Sequence, residues 1–586
     1  MGPDAVSNSA LIETLPFDVL EVLCYWILRT ESSSLSCRAT LLHLALASGS
    51  LFAPAVHAAL RDRNLFAGPF LPVDWNDPRS TKSGLAQSGR YLTSLQHEGT
   101  LHFVYLVLPQ RIGRRTPVSN GGPSSQYWSQ ILAIPLHQLA HASIDAHHLA
   151  LVPIPPNCRF LTIHNGTGGS WPAHIPPAHS LALKLFFVTQ ARISAITSWF
   201  HPSLRELTIG VARIGNDATL VSLYDHLPPL LAVFEVIEDN VAYPSDLGTH
   251  SGAALSRALA RLTQLSILRH AMLLRPDDAV HIVNGLAKAQ KAGKTRLMRM
   301  VSLIVTADYT GPVAQVPLFD YACQLRVKDF VLHLGAQPDA SVLANYGPWL
   351  LNLLRVVPTQ LESLTLCAPM WPNQVVAQFM QRFNSPTLLS LHFVGKSWLS
   401  TGAALNPASL VTGFMLSALG PLSAQVSSLT SLTIMGCLAS QMIAADHNLA
   451  TWTLPPLLRA LDLSQNRLST GDIEILFPQL PMYLHELDLS DNLITSLPAS
   501  FPPSLRVLSV AQNPLRLDAT EWIDALPLTL RSLDIASCCL EDRMARRLLD
   551  VQRRAGTRGK RGKTRLTVSL GGNKFSADMQ HALQNA

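Results

Sequence analysis

The stretch Leu458-Arg-Ala-Leu461-Asp-Leu463-Ser-Gln-Asn466-Arg-Leu468 decides the fold. It has the spacing LxxLxLxxNxL, which recurs three more times. The copies are Leu484-His-Glu-Leu487-Asp-Leu489-Ser-Asp-Asn492-Leu-Ile494, Leu505-Arg-Val-Leu508-Ser-Val510-Ala-Gln-Asn513-Pro-Leu515 and Leu530-Arg-Ser-Leu533-Asp-Ile535-Ala-Ser-Cys538-Cys-Leu540. The alternating LxL predicts a short strand with its leucines on one side. The Asn or Cys slot falls where the chain turns, and its side chain can bond backbone groups the turn leaves unpaired. One unit cannot bury its apolar face alone, but stacked neighbours can. Each buried leucine then contributes about 1.5–3 kcal/mol.

Upstream, Leu429-Thr-Ser-Leu432-Thr-Ile434-Met-Gly-Cys437 keeps both strand and slot. Leu361/Leu364/Leu366, Leu388/Leu391/Phe393, Val327/Phe330/Leu332 and Met298/Val301/Leu303 keep only LxxLxL. So do Leu262/Leu265/Ile267, Leu231/Phe234/Val236 and Leu204/Leu207/Ile209, and a last copy is Arg565/Val568/Leu570 with Asn573 and Phe575. Any one weak copy reads equally as an ordinary buried strand, but their recurrence favours a stack. Spacings run from 21 residues (Leu484 to Leu505) to 41 (Leu388 to Leu429). The short spacing leaves room only for an extended return through Pro498, Pro502 and Pro503. Longer ones fit helices such as 218–227 and 541–554. The pattern resembles the leucine-rich-repeat family, which implies an α/β solenoid shaped as a horseshoe.

The N-terminus has another rhythm. Leu15-Pro16-Phe-Asp18-Val19-Leu20-Glu-Val-Leu23 opens a helix, with Pro in the first turn and an acid that suits the helix dipole. Leu20, Leu23, Ile27 and Leu28 keep helical spacing, and Leu44-Ala-Leu46-Ala-Ser48 follows a polar break. This resembles an F-box, a small all-α module. The resemblance implies docking on the Skp adaptor of cullin-RING ubiquitin ligases through Leu15, Pro16, Val19, Leu20, Leu23 and Ile27. A helical cap over the first repeat is the other reading of the segment. An F-box before leucine-rich repeats is the arrangement of F-box/LRR substrate receptors.

These readings divide the chain into a disordered N-terminus (1–10), an F-box-like domain (11–65), an irregular linker or cap with loops (66–135), degenerate first repeats (136–200) and a leucine-rich-repeat domain (201–586), clearest over 429–545. Its 586 residues exceed one core, and 48% hydrophobic against 14% charged residues excludes a disordered chain. The net charge of +6 is mild at this length and argues for no nucleic-acid partner. Eight scattered cysteines without a CxxC pair fit a reducing compartment. Pro16, Asp18 and Glu21 break the first apolar stretch, so no secretory signal is expected. No run reaches the roughly 18 apolar residues that span a bilayer. A cytoplasmic or nuclear protein with no membrane partner is expected.

No catalytic residues, metal or cofactor are expected. Gly293-Lys294-Thr295 and Gly562-Lys563-Thr564 end like phosphate-binding loops, but Lys288 and Thr557 stand where the earlier glycine belongs. His137, His141, His147 and His148 have no HExxH pattern or nearby cysteine, and read as exposed or capping residues. The basic stretch 553–565 reads as a solvated loop, with a nuclear-import signal or an anion contact as alternatives.

Residues alternating with the inward leucines belong to the open, concave sheet face. In the last repeats they include Asp462, Glu486, Asp488 and Asp534, an acidic stripe, with Ser464 beside Asp462. Thr365, His392, Val394, Thr433 and Met435 make the upstream face neutral or apolar. The stripe either keeps the sheet soluble or meets a basic segment of a substrate protein. The sequence therefore reads as a non-enzymatic substrate adaptor of an SCF-type ligase. A repeat scaffold or inhibitor unconnected to ubiquitin is the alternative. A Ran-type GTPase-activating repeat protein fits poorly, because this chain ends basic.

Overall fold

The computed structural model describes residues 141–145 and 159–579, the latter without 165–173, 176, 186–188, 212–216, 239–250, 294–296, 306–324, 335–342, 396–415, 420–421, 423–425, 439–452, 517–520, 558–565 and 577. The F-box-like segment and its six named residues lie outside the described residues. The described chain forms two compact units.

The first unit carries β1 (His141–Asp145), β2 (Phe160–His164), β3 (Ser180–Leu185) and β4 (Glu206–Val211). They pair parallel and in chain order. Leu161, Ile163, Leu181, Leu183, Leu207 and Ile209 face the core. Helix α1 (Gln190–Ser198) returns from β3, and Ile193 and Ile196 pack inward. Thr189 caps it by accepting a bond from the Arg192 amide at 3.4 Å.

The second unit begins with α2 (Asp217–Asp225), β5 (Val233–Glu238), α3 (Ser251–Leu259), β6 (Ile267–Leu274), α4 (Pro276–Lys291) and β7 (Met298–Val305). There follow β8 (Val327–Leu334), α5 (Leu343–Leu353), β9 (Ser363–Cys367), α6 (Asn373–Arg382), β10 (Ser390–Val394) and β11 (Ser431–Met435). It ends with β12 (Ala460–Asp462), α7 (Thr470–Leu476), β13 (Glu486–Asp488), β14 (Val507–Ser509), α8 (Glu521–Asp524), β15 (Ser532–Asp534), α9 (Asp542–Thr557) and β16 (Thr567–Ser569). Each of β5 to β15 pairs parallel with the next strand in sequence. This is the repeat-built parallel sheet that the LxxLxL pattern predicts. The leucines of the pattern are its core: Leu458, Leu461, Leu463, Leu484, Leu487 and Leu489 are at most 1% exposed.

The returns follow their sequences. Helix α4 has Pro276 in its first turn with Asp277 and Asp278, and Lys288 and Lys291 in its last, so its charges complement the dipole. Gly293 closes it with φ +68°, a left-handed turn that suits glycine. Helix α7 starts on a capping box, Ser469 and Asp472 each bonding the other's amide. The return from Asn492 to Leu505 holds no helix, as its prolines require. Helix α9 continues through Arg553 and Arg554 to Thr557, so the first five residues of the expected basic loop are helical. Arg, Leu, Met, Ala and Gln, all good helix formers, dominate the stretch and account for the extension.

Past each downstream strand the chain turns through a left-handed residue. Gly436, Gln465, Asp491, Gln512, Ser537 and Gly572 all have positive φ, and each precedes the Asn or Cys slot. The asparagines then stitch repeat to repeat. Asn492 Oδ1 accepts from the Asn466 and Leu468 amides at 3.0 and 2.9 Å, and its Nδ2 donates to the carbonyls of Leu463 and Leu489 at 3.0 and 2.9 Å. Asn466 bonds the Cys437 and Leu438 amides and the Ile434 carbonyl. Asn513 and Asn573 repeat the arrangement. In two slots cysteine replaces it: the one hydrogen of the Cys538 thiol has the Val510 carbonyl at 3.1 Å and the Ala536 carbonyl at 3.5 Å as acceptors, and the Cys437 thiol donates within its own repeat to Met435.

Candidate partner-binding face

The strand register turns alternate residues into rows across the open side of the sheet. One row runs His392, Thr433, Asp462, Asp488, Ser509, Asp534 over β10 to β15. The row before it includes Ser431, Ala460, Glu486 and Val507. The structure therefore brings the four acidic residues together: Asp462 and Asp488 are direct neighbours, Glu486 shares a strand with Asp488, and Asp534 lies across Ser509 from Asp488. Ser464 departs from expectation and is 6% exposed. Strand β12 ends at Asp462, and the left-handed turn at Gln465 takes Ser464 out of the alternation.

Three of the acids have a structural bond that sequence reasoning missed. Asp462, Asp488 and Asp534 each accept the amide two residues on, from Ser464, Ser490 and Ala536, at 2.9, 2.8 and 3.1 Å. Such an Asx turn satisfies an amide that the ending strand leaves over. The signal was present: Asp two residues before the turn in DLS and DIA. One carboxylate oxygen of each is thus committed to the fold. The other has no hydrogen-bond partner among the described residues.

Upstream in the second unit, the face carries three charged residues among those described: Glu235, Arg269 opposite it in the register, and Asp329. Burial holds the His333 imidazole down at about 4, assisted by the Arg269 charge. Burial lowers His392 as well, against an opposing pull from Asp462. Burial also raises the Cys367 thiol to about 12 and Cys437 well above its ordinary value, so neither forms a thiolate near neutral pH. Among the described residues, no group of three His, Cys, Asp or Glu side chains is placed to hold a metal ion, and no helix is long and apolar enough to cross a membrane.

A second feature escaped the sequence reading. The residue just ahead of β12, β13, β14 and β15 is Arg459, His485, Arg506 and Arg531, a basic row along the sheet edge. Partial desolvation and the flanking Arg506 and Arg459 charges hold His485 below the usual imidazole range, with Glu486 opposing.

No protein-family model matches the chain. No curated protein matches it either. Among solved structures, the complex of Rad7 and Elc1 in yeast is similar with a TM-score of 0.34 and 14% identity, covering 76% of this chain and 92% of that chain. Such a score is too low to bear on function.

Proposed function

We propose that the chain is a substrate-recognition adaptor of a cullin-RING ubiquitin ligase, an F-box/leucine-rich-repeat protein with no catalytic chemistry of its own. The observation that carries this reading is the order of two features in the chain: the Leu15–Leu23 motif stands ahead of a parallel repeat sheet whose register brings Asp462, Glu486, Asp488 and Asp534 together. In this reading Leu15, Pro16, Val19, Leu20, Leu23 and Ile27 hold the Skp adaptor. The open face, with Asp462, Glu486, Asp488 and Asp534, holds a protein substrate in the cytoplasm or nucleus. Such a protein works by holding a substrate near another subunit's active centre, which requires two separate binding surfaces and no nucleophile.

Co-elution of the purified full chain with a purified Skp-type adaptor tests the proposal. A complex that Leu20→Asp and Leu23→Asp abolish supports it. A wild-type chain that elutes alone sinks it and leaves the repeat scaffold or inhibitor unconnected to ubiquitin. The substrate half is tested by Glu486→Lys with Asp462→Asn and Asp488→Asn, which keep an oxygen for the Ser464 and Ser490 amides and should weaken substrate capture while leaving adaptor binding unchanged.

A further inference from the structure

The basic row at the sheet edge serves the fold through its backbone, which bonds from strand to strand, while its side chains stay outside that ladder. Each member follows a turn closed by a backbone bond: Leu458 to Pro455, Leu484 to Pro481, Leu505 to Pro502 and Leu530 to Pro527, at 3.0–3.1 Å. Arg459, Arg506 and Arg531 are exposed and His485 is half-buried. None of the four side chains makes a hydrogen bond or ion pair among the described residues. The ion pairs there involve Arg257, Lys328 and Arg547 instead. Because β12 to β15 are in register, the row is spaced at the strand separation of about 4.8 Å and spans roughly 14 Å. Arg506 and Arg531 stand on neighbouring strands, and their like charges repel, so that pair costs stability rather than supplying it.

What flanks the row limits what it can hold. On one side, the same turns expose Leu457 (56%), Tyr483 (58%) and Leu528 (81%). On the other side, Glu486 lies one residue into its strand, and Asp462, Asp488 and Asp534 lie three residues from the cations, about 10 Å away. Across the edge the surface therefore runs apolar, cationic, anionic. A nucleic-acid backbone, broad and uniformly anionic, would meet the carboxylates as well as the guanidiniums. A narrow segment carrying carboxylates beside apolar side chains complements both the cations and the exposed leucines.

We propose that this edge, centred on Arg459, His485, Arg506 and Arg531, captures an acidic segment of a partner protein whose carboxylates are interspersed with apolar residues. The site uses the strand edge rather than the N-terminal module, so it stands whether the chain serves a ubiquitin ligase or not.

The test uses the full-length chain and a fluorescent peptide of alternating glutamate and leucine, with a glutamine–leucine peptide and a single-stranded oligonucleotide as comparisons, at low salt. The acidic peptide should bind at least about tenfold more tightly than the glutamine one. The triple reversal Arg459→Glu, Arg506→Glu, Arg531→Glu should weaken it by about tenfold or more, as three exposed pairs are lost and repelled. The uncharged Arg459→Gln, Arg506→Gln, Arg531→Gln set removes the repulsion, so its unfolding midpoint should match or exceed wild type. This milder set should give a smaller loss of binding in the same direction, and Leu528→Ser a loss of several-fold. Equal binding of the two peptides, binding that survives both triple variants, or an oligonucleotide that binds as tightly and is lost in the same variants would overturn the proposal.

Discussion

Strands β6, β7 and β8 run eight residues each, whereas β12 to β15 run three. The long strands pair along most of their length, from Met298 opposite Val327 to Val305 opposite Leu334. They are backed by helices such as α4, whose apolar face of Ala279, Val280, Ile282, Val283 and Leu286 is buried. The short strands exchange few ladder bonds, and their cohesion moves to the turn beyond. There Asn466, Asn492, Asn513 and Asn573 reach into the preceding repeat. One sheet is thus held by backbone pairing and helix burial in its upstream part and by side-chain amides downstream. The charged surface features lie on the downstream, thinner part.

Removing one amide rung should have the largest effect. Asn492→Ala strands the Asn466 and Leu468 amides and removes donors to three carbonyls, all near or within the core. The expected loss is about 3–5 kcal/mol in urea unfolding. Thr365→Ala on the open face of β9 should stay within about 0.5 kcal/mol. Equal costs would break the comparison.

The upstream part should be the acid-sensitive one. His270 in β6 is 1% exposed, bonds the Tyr224 hydroxyl at 2.8 Å, and is held by burial down at about 4 from an ordinary 6.5. Its folded-state value is below its unfolded one, so the unfolded chain binds the extra proton between them. The stability from keeping it neutral is present above pH 6.5 and lost as pH falls toward 4, by roughly 3 kcal/mol. His333 acts in the same direction. Unfolding midpoints across that window, with amide exchange read strand by strand, should show β6 to β8 opening first and His270→Phe reducing the slope. First opening in β12 to β15 would reverse the assignment.

Smaller effects refine the ladder. Cys538→Asn supplies an amide where a thiol now donates only to carbonyls, and should stabilise by about 1 kcal/mol in urea unfolding. Gln512 holds φ +59° where Gly436 and Gly572 occupy the same turn position. Gln512→Gly should therefore add about 0.5 kcal/mol in thermal unfolding, the strain relieved less the entropy glycine loses.

The downstream repeats were legible because their rules are local. In Leu458–Leu468 each leucine and the asparagine answer to neighbours within a few residues. The weaker copies, such as Met298/Val301/Leu303, identified strands but not their length. That β7 and β8 extend to Val305 and Leu334 depends on pairing with each other, which one segment's spacing does not encode. The acidic stripe was legible as a row, but the bond from Asp462 to the Ser464 amide depends on where the strand stops. The basic edge was missed because Arg459, His485, Arg506 and Arg531 occupy a slot the leucine pattern leaves free, and only the register stacks them.

The most direct measurement is a calorimetric titration of the full-length chain with a purified Skp-type adaptor, alongside the Arg459→Glu, Arg506→Glu, Arg531→Glu variant. An adaptor with separate surfaces for ligase and partner predicts one-to-one binding that the edge variant leaves unchanged and that Leu20→Asp with Leu23→Asp abolishes. No heat of binding from the wild-type chain, or equal binding by the Leu20→Asp, Leu23→Asp chain, would contradict it.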